Sequence, residues 1–304
     1  MGTVLITGGN GLVGRRLSEK LADTGYRVTI LSRNPSKNSR FKSYFWNPDR
    51  NLIEDEAIAE ADYIVHLAGE NLGNKRWTKR RKQQIIDSRV KTGELLYTKT
   101  MERGKQLKAF ISASATGYYG ATTSDKIYTE TDSSATGFAA EVCRLWEKTS
   151  LKFAGSGLRT VILRTGVVLT PKGGALEKLV VVTRLGIGSP IGSGKQYLPW
   201  IHIRDLCNIY IKAIEDNTMS GIFNAVAPDN ETNREFTKKL ASVLHKPYLA
   251  PPVPEFVMKL LFGEMASVLL EGSRVSPGKL IDSGYTFIFP ELREALYDLL
   301  IKGY

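Results

Sequence analysis

The stretch Thr3-Val4-Leu5-Ile6-Thr7, followed at once by Gly8-Gly9-Asn10-Gly11-Leu12-Val13-Gly14, constrains this chain more than any other feature. Four of its first five residues branch at Cβ, which suits a buried strand. Leu12, Val13, Leu17 and Leu21 then fall on one stripe at helical spacing, so a helix opens inside the glycine run. Glycines allow a tight turn and a close backbone approach to a ligand. The helix start offers unpaired N–H groups and a partial positive charge, so Gly8, Gly11, Leu12 and Val13 form a cradle for phosphate. Gly25 closes the helix, and Arg27-Val28-Thr29-Ile30-Leu31 reads as the next strand.

The alternation continues. Residues 63–67, 109–113 and 160–163 read as the fourth, fifth and sixth strands, with helices over 79–101 and 138–154 between them. Strands separated by helices of this length are βαβ units, with right-handed crossovers. The expected class is therefore α/β: a Rossmann-type, doubly wound parallel sheet with a small, mainly helical C-terminal lobe. Residues 1–170 are assigned to the dinucleotide-binding domain. Residues 171–304 supply substrate-side segments and the lobe, with 200–230 returning to the main sheet. The glycine-rich segment 171–199 carries interspersed apolar residues and reads as a structured loop beside a ligand. Prolines at 247, 251, 252 and 254 mark a second boundary.

The 304 residues are 42% hydrophobic and 24% charged, ordinary values for a globular domain. No basic leader or long uncharged stretch suggests a signal peptide or a membrane span. Cys143 and Cys207 have no metal-type spacing and read as core thiols, so a cytoplasmic, reducing compartment is expected, with no metal. The net charge of +11 concentrates in Lys75-Arg76-Trp77-Thr78-Lys79-Arg80-Arg81-Lys82. This run fits a solvated helix start or a positive rim over an anionic ligand. Charge is all that would favour nucleic acid, so neither nucleic acid nor membrane is expected as a partner. A small-molecule substrate is expected, and the class admits a homodimer.

The second strand selects the dinucleotide. An NAD site places Asp or Glu at its end to hold the ribose 2′-hydroxyl; here the end is Leu31-Ser32-Arg33. Arg33 and Ser32 suit a 2′-phosphate, which points to NADP(H). After the fourth strand, Leu67-Ala68-Gly69 lets backbone approach the adenosine side, with His66 a strand-end core residue.

Further stretches sharpen this reading. They include Leu67-Ala68-Gly69-Glu70-Asn71, Asp87-Ser88-Arg89, Ser114-Ala115-Thr116-Gly117-Tyr118-Tyr119-Gly120, Trp146-Glu147, Arg164-Thr165-Gly166-Val167 and Trp200-Ile201-His202. With Gly8, Gly11 and Gly14 behind Thr7, the whole chain resembles the atypical, extended short-chain dehydrogenase/reductases. Within the NAD-dependent epimerase/dehydratase superfamily it resembles the YfcH-like epimerase proteins, which end in a short domain of unknown function. The resemblance implies about seven parallel strands and cofactor contacts from Ser32, Arg33, Leu67, Ala68, Gln84, Arg89 and Val167. It also implies that Arg76 and Arg89 frame the cofactor. Substrate would meet Arg184, Gln196, Trp200 and His202, in or beside the loop after the sixth strand, with Asp205 orienting His202 or simply lying on the next helix.

The chemistry of such enzymes uses a Tyr, a Lys four residues later and a Ser at the end of the fifth strand. Ser114 fits the last role. At the start of the helix the sequence reads Phe138-Ala139-Ala140-Glu141-Val142-Cys143, which lacks the pair. Tyr118 is the candidate replacement phenol and Glu141 a candidate acid. Two functions follow: an NADP(H)-dependent oxidoreductase or epimerase-like enzyme, or an NADP(H)-binding sensor that has lost catalysis.

Overall fold

A computed structural model describes residues 2–36, 39–73, 75–104 and 106–303. In chain order its elements begin β1 (Thr3–Thr7), α1 (Leu12–Asp23), β2 (Arg27–Ser32), β3 (Lys42–Asn47), β4 (Leu52–Ile53), α2 (Asp55–Ala59) and β5 (Tyr63–His66). Next come α3 (Lys79–Glu102), β6 (Ala109–Ala115), β7 (Ile127–Tyr128), α4 (Phe138–Gly155), β8 (Thr160–Thr165), β9 (Val167–Leu169) and α5 (Gly174–Arg184). Then follow β10 (Trp200–His202), α6 (Ile203–Glu215), β11 (Gly221–Ala225) and α7 (Asn233–Val243). The chain closes with α8 (Glu255–Phe262), α9 (Ser267–Leu270), β12 (Arg274–Val275), α10 (Gly278–Asp282) and α11 (Leu292–Tyr297).

The central sheet runs β11-β8-β6-β5-β1-β2-β3-β4. Seven of its strands are parallel, and the eighth, β4, is a two-residue antiparallel edge on β3. This is the expected Rossmann-type architecture. Two of its parallel strands, Lys42–Asn47 and Gly221–Ala225, are not marked individually by the sequence patterning.

Period-two alternation divides the core. Val4 and Ile6 of β1 point to one face, where they pack with Leu17 and Leu21 of α1 and with α6. Leu5 points to the other face, towards Leu95 and Leu96 of α3 and Phe153 of α4. The chain leaves β1 towards β2 and β3, then crosses to β5, β6, β8 and β11 on the opposite side. That reversal opens a crevice at the carboxyl ends of β1 and β5, where ligands bind in open α/β sheets.

The C-terminal segment divides in two. Leu292, Ala295, Leu296 and Leu299 belong to the main core, beside Phe236 and Leu240 of α7. α8, α9 and the turn between them form a smaller cluster with Ile191 and Val253. Asp205, buried at the start of α6, ties the first part down. Its carboxylate accepts hydrogen bonds from Tyr285 Oη (2.8 Å), Ile288 N (2.8 Å) and Phe289 N (3.0 Å). Asp205 thus anchors residues 285–289, and those bonds leave His202 to another partner.

Asp205→Ala leaves these buried donors without an acceptor, at a cost of about 2–4 kcal/mol. The expected result is a lowered urea midpoint, with residues beyond 280 becoming the first site of limited proteolysis. Asp205→Asn, which keeps one acceptor oxygen, should recover part of the loss.

Candidate functional site

The turn between β1 and α1 is shaped by contacts only glycine permits. Gly8 adopts φ +69°, and a Cβ there would stand 2.9 Å from the Leu67 carbonyl carbon. A Cβ on Gly14 would lie 2.2 Å from Gly8 O. Backbone therefore packs on backbone, and α1 begins directly over the end of β1, its first N–H groups facing the crevice. Its cap, Gly11, brings no side-chain acceptor to them.

The loop after β5 is held by a buried hydroxyl–imidazole chain. Thr7 Oγ1 accepts from Leu67 N and Ala68 N, both at 3.1 Å, so its own proton goes to His66 Nδ1 at 2.8 Å. That leaves Nε2 as the protonated nitrogen, 3.4 Å from Thr92 Oγ1, whose proton is committed to Ser88 O at 2.8 Å. Burial holds the His66 pKa down at about 4, so the ring is neutral and fixes Leu67 and Ala68 in place. Further along, Ser88 Oγ accepts from Glu70 N (2.9 Å), and Arg81 grips Glu70 Oε2 (2.9 Å) and Asn71 O (2.7 Å). Gly69 is needed because Arg89 Cζ would stand 2.9 Å from a Cβ there.

Arg89 is the most unusual cation of the site. It is 6% exposed, lies 4.8 Å over the Trp146 ring and donates to Ile85 O, yet its Nε has no partner. No carboxylate among the described residues is within ion-pair distance of it. Burial lowers its pKa to about 10, so it stays charged at neutral pH. This buried guanidinium stands against Gly69 beside the crevice, a candidate partner for an anion or a ligand oxygen.

Beside these parts opens a cleft of about 620 Å³. Gly8, Ala68, Gly69, Ser32, Arg33 and Gln84 all face it, joining the fingerprint turn, the end of β2 and the start of α3. Trp46 and Pro48 close the side beyond β3, and Lys75 and Arg81 add positive charge. Gly11 and Leu12 line the adjoining groove at the head of α1, Val13 packs on the core, and Val167 is half-buried on β9. Arg76 does not join Arg89 in a frame for the cofactor. Its Nη2 donates to Leu260 O at 2.7 Å, turning it towards the C-terminal lobe.

At the end of β6 the geometry departs from a dehydrogenase relay. Ser114 Oγ donates to Glu147 Oε1 (2.7 Å), and Arg164 holds both oxygens of that carboxylate at 2.8 Å. Arg164 also reaches Tyr119 Oη (2.9 Å), which donates to Asn224 Oδ1 (2.7 Å). Tyr118 covers this network, its ring centroid 3.4 Å from the Arg164 guanidinium carbon, which explains its position structurally. In the first turns of α4, Ala139 and Cys143 face the segment after β6, since a Cβ on Gly117 would meet both and Cys143 lies against Ser114 and Ala115. Phe138 and Val142 instead pack on Trp77, Ile85 and Met265. The pair at Tyr–Lys spacing on the inward face is therefore Ala139–Cys143, one residue later than the sequence suggested, and it too lacks a phenol and an ammonium. Burial pushes the Cys143 thiol up to about 11. Glu141 is exposed on the outer side of α4, beside Lys79, Lys82 and Arg144.

The substrate-side expectations are corrected by burial. Trp200 is fully buried in the main core. His202 is also fully buried: its Nδ1 caps α6 by accepting from Arg204 N, its ring stacks on Phe289 at 3.9 Å, and Nε2 lies 3.3 Å from Asp298. Gln196 spends its amide on Ile191 O and Leu269 O. Arg184 is exposed on the last turn of α5. Gln196 and His202 hold the C-terminal segment in place. Sequence reasoning missed the Thr7–His66–Thr92 chain and the Glu147–Arg164 pair; the one available signal was an acid and a base placed among apolar runs.

Gly14→Ala forces Cβ into the Gly8 carbonyl, so the cradle must open. The expected result is a dinucleotide affinity at least about a hundredfold weaker by calorimetry. A second expectation concerns pH. The unfolded chain takes up a proton on His66 near pH 6.5, whereas the folded chain resists it down to about 4. Stability is then whole above pH 6.5 and falls by about 3 kcal/mol as pH drops to 4. His202, lowered to about 3 by burial, adds in the same direction. Urea midpoints should fall between pH 6.5 and 4, with a shallower slope in His66→Gln.

Comparison with known proteins agrees with this geometry. The family model described as NAD dependent epimerase/dehydratase family matches residues 4–225, and a domain of unknown function, DUF1731, matches residues 253–299. The chain is 34% identical over 300 residues to the mouse epimerase family protein SDR39U1, covering 98% of this chain and 99% of the relative. A Staphylococcus aureus epimerase family protein, SAR0825, is 35% identical over 301 residues, 98% of this chain and 99% of its own length. The crystal structure of human SDR39U1 with NADPH superposes with TM-score 0.88 at 34% identity, covering 98% of each chain. The glycine cradle, the neutral His66 clamp and the crevice between β1 and β5 are thus those of a family member: the chain belongs to the NAD dependent epimerase/dehydratase family.

Proposed function

We propose that this protein binds NADP(H) and acts as an NADP(H)-dependent oxidoreductase or epimerase-like enzyme on a small, anionic substrate. One observation carries the cofactor choice. Ser32 and Arg33 face the cleft at the end of β2, where an NAD site would place a carboxylate. The related human protein, crystallised with NADPH, supports the same choice. The turn also suits a pyrophosphate, because Gly14 lets the start of α1 pack directly on the Gly8 backbone and no side chain caps its first N–H groups. When bound, the nicotinamide supplies or takes up a hydride. The chain contributes position and charge: Gly8 to Val13 hold phosphate, Arg33 holds the 2′-phosphate, and Arg89 brings a fixed cation to the crevice. Two buried free thiols suit a reducing, cytoplasmic location.

A second reading has its own support. Neither Ala139 nor Cys143 supplies the acid–base pair of the related dehydrogenases, and the proton of Ser114 is committed to Glu147. A cofactor-binding sensor without turnover would tolerate both.

Calorimetry with NADPH and NADH separates the first question. NADPH is expected to bind the wild type more tightly, and Arg33→Asp should lose about tenfold to a hundredfold in NADPH affinity with little change for NADH. Equal affinity for both dinucleotides in the wild type would overturn the assignment. Hydride transfer lost in Ser114→Ala, with NADPH binding intact, would decide for the enzyme. Cofactor binding without transfer to any aldehyde, ketone or sugar nucleotide would decide for the sensor.

A further inference from the structure

The helix α8 reads Glu255-Phe256-Val257-Met258-Lys259-Leu260-Leu261-Phe262, and only Met258 is buried. Phe256 and Leu260, one turn apart, are 70% and 72% exposed, and Leu261 is 58% exposed. Large side chains left outside on consecutive turns cost free energy unless something covers them. Leu249, at 87%, extends the apolar surface along the preceding loop. That loop is bonded to the 190–192 segment through Val253, so the ridge stands on a fixed base.

The surroundings of the ridge are cationic. Arg76 donates to the Leu260 carbonyl at 2.7 Å, and a Cβ on Gly263 would lie 3.4 Å from its Nε. The basic run is thereby fastened to α8, with Arg76 and Lys79 exposed on this side, whereas Lys75 lines the cofactor cleft. Of the carboxylates on this side, Glu264 pairs with Lys82 and Glu255 with Lys259, both at 2.6 Å, and Glu141 lies beside Lys79, Lys82 and Arg144. Arg76, Lys79, Lys82, Arg144 and Lys259 outnumber Glu141, Glu255 and Glu264, so the face presents apolar side chains bordered by net positive charge.

We infer that this face docks on an anionic lipid bilayer surface, with Phe256, Leu260 and Leu261 entering the headgroup–acyl boundary and Arg76 and Lys79 meeting lipid phosphates. Charge complementarity selects this occupant. A second copy of the chain, packed about a two-fold axis, would set the same cations against each other. Nucleic acid would use the cations and leave the apolar ridge in water. A bilayer of anionic lipid uses both, and shallow insertion needs no spanning segment. The chain holds no helix long and apolar enough to cross a membrane among its described residues, and the proposal requires none. It is independent of the cofactor assignment.

The test is flotation of the full chain with phosphatidylcholine vesicles, with and without phosphatidylglycerol. The protein is expected to float with the anionic vesicles, to do so less as salt rises, and to remain below with neutral ones. Phe256→Ser/Leu260→Ser should cut the bound fraction at least about tenfold, because burial of those side chains drives insertion. Retained NADPH binding, or an unchanged far-ultraviolet dichroism spectrum, reports that the variant is folded. In Phe256→Trp, emission should shift to the blue with anionic vesicles alone. Three outcomes overturn the inference: no flotation with either vesicle; flotation of the double variant equal to wild type, which leaves charge as the sole cause; or loss of a dimer in the double variant with no vesicle binding, which assigns the ridge to a second copy.

Discussion

The approach of α1 to the end of β1 sets the geometry of the whole crevice. With Gly14 facing the Gly8 carbonyl and Gly8 against the Leu67 backbone, helix and strand meet without intervening side chains. The helix start is thereby aimed between β1 and β5, at the point where the strand order reverses. Thr7 completes the constraint from below. It spends two lone pairs on the Leu67 and Ala68 amides and its proton on His66, so the two loops that flank the crevice move as one. A neutral, buried histidine suits this role because it accepts from one hydroxyl while donating to another, which no aliphatic side chain can do.

On the far side of the sheet the polar groups are arranged differently. Glu147 and Arg164 form a bidentate buried pair that also takes up the hydroxyls of Ser114 and Tyr119. Desolvation of such a pair is offset only when every lone pair and proton finds a partner, and here the network supplies them. The consequence reaches the chemistry. The serine that a dehydrogenase would offer to a substrate oxygen already donates to a carboxylate of α4, and the residues that the first turns of this helix turn inward are an alanine and a cysteine. What remains near the crevice is the fixed charge of Arg89 rather than a titrating phenol.

The C-terminal segment is held by buried polar anchors at several places. Asp205, Gln196 and His202 each satisfy backbone or carboxylate groups of that segment, and the phenyl and indole of Phe138 and Trp77 pack against Met265. These residues look functional in a linear reading because polar and aromatic groups near a glycine-rich loop resemble a binding site. Their burial assigns them to packing. The same segment leaves α8 with an apolar ridge in solvent beside the basic run, an arrangement invisible until residues 76 and 260 are known to touch.

The sequence by itself determined the α/β class, the glycine cradle, the Ser32-Arg33 signature at the end of the second strand and the lack of a Tyr–Lys pair. All of these are local: each depends on residue type within a strand, a turn or one helical stripe, where sterics and hydrogen-bonding capacity act over a few positions. β3 escaped because it is an outer strand of mixed burial, with β4 as its edge partner. Only the tertiary structure decided that α4 turns Ala139 and Cys143, rather than Phe138 and Val142, towards the segment after β6. A helix advances about 100° per residue, so a shift of one position changes the face, and packing on the sheet sets the rotation. It also decided that Arg89 is buried without a carboxylate, that Trp200 and His202 lie inside, and that Arg76 reaches α8. Burial and pairing arise from contacts between residues far apart in the chain, and no local pattern encodes them.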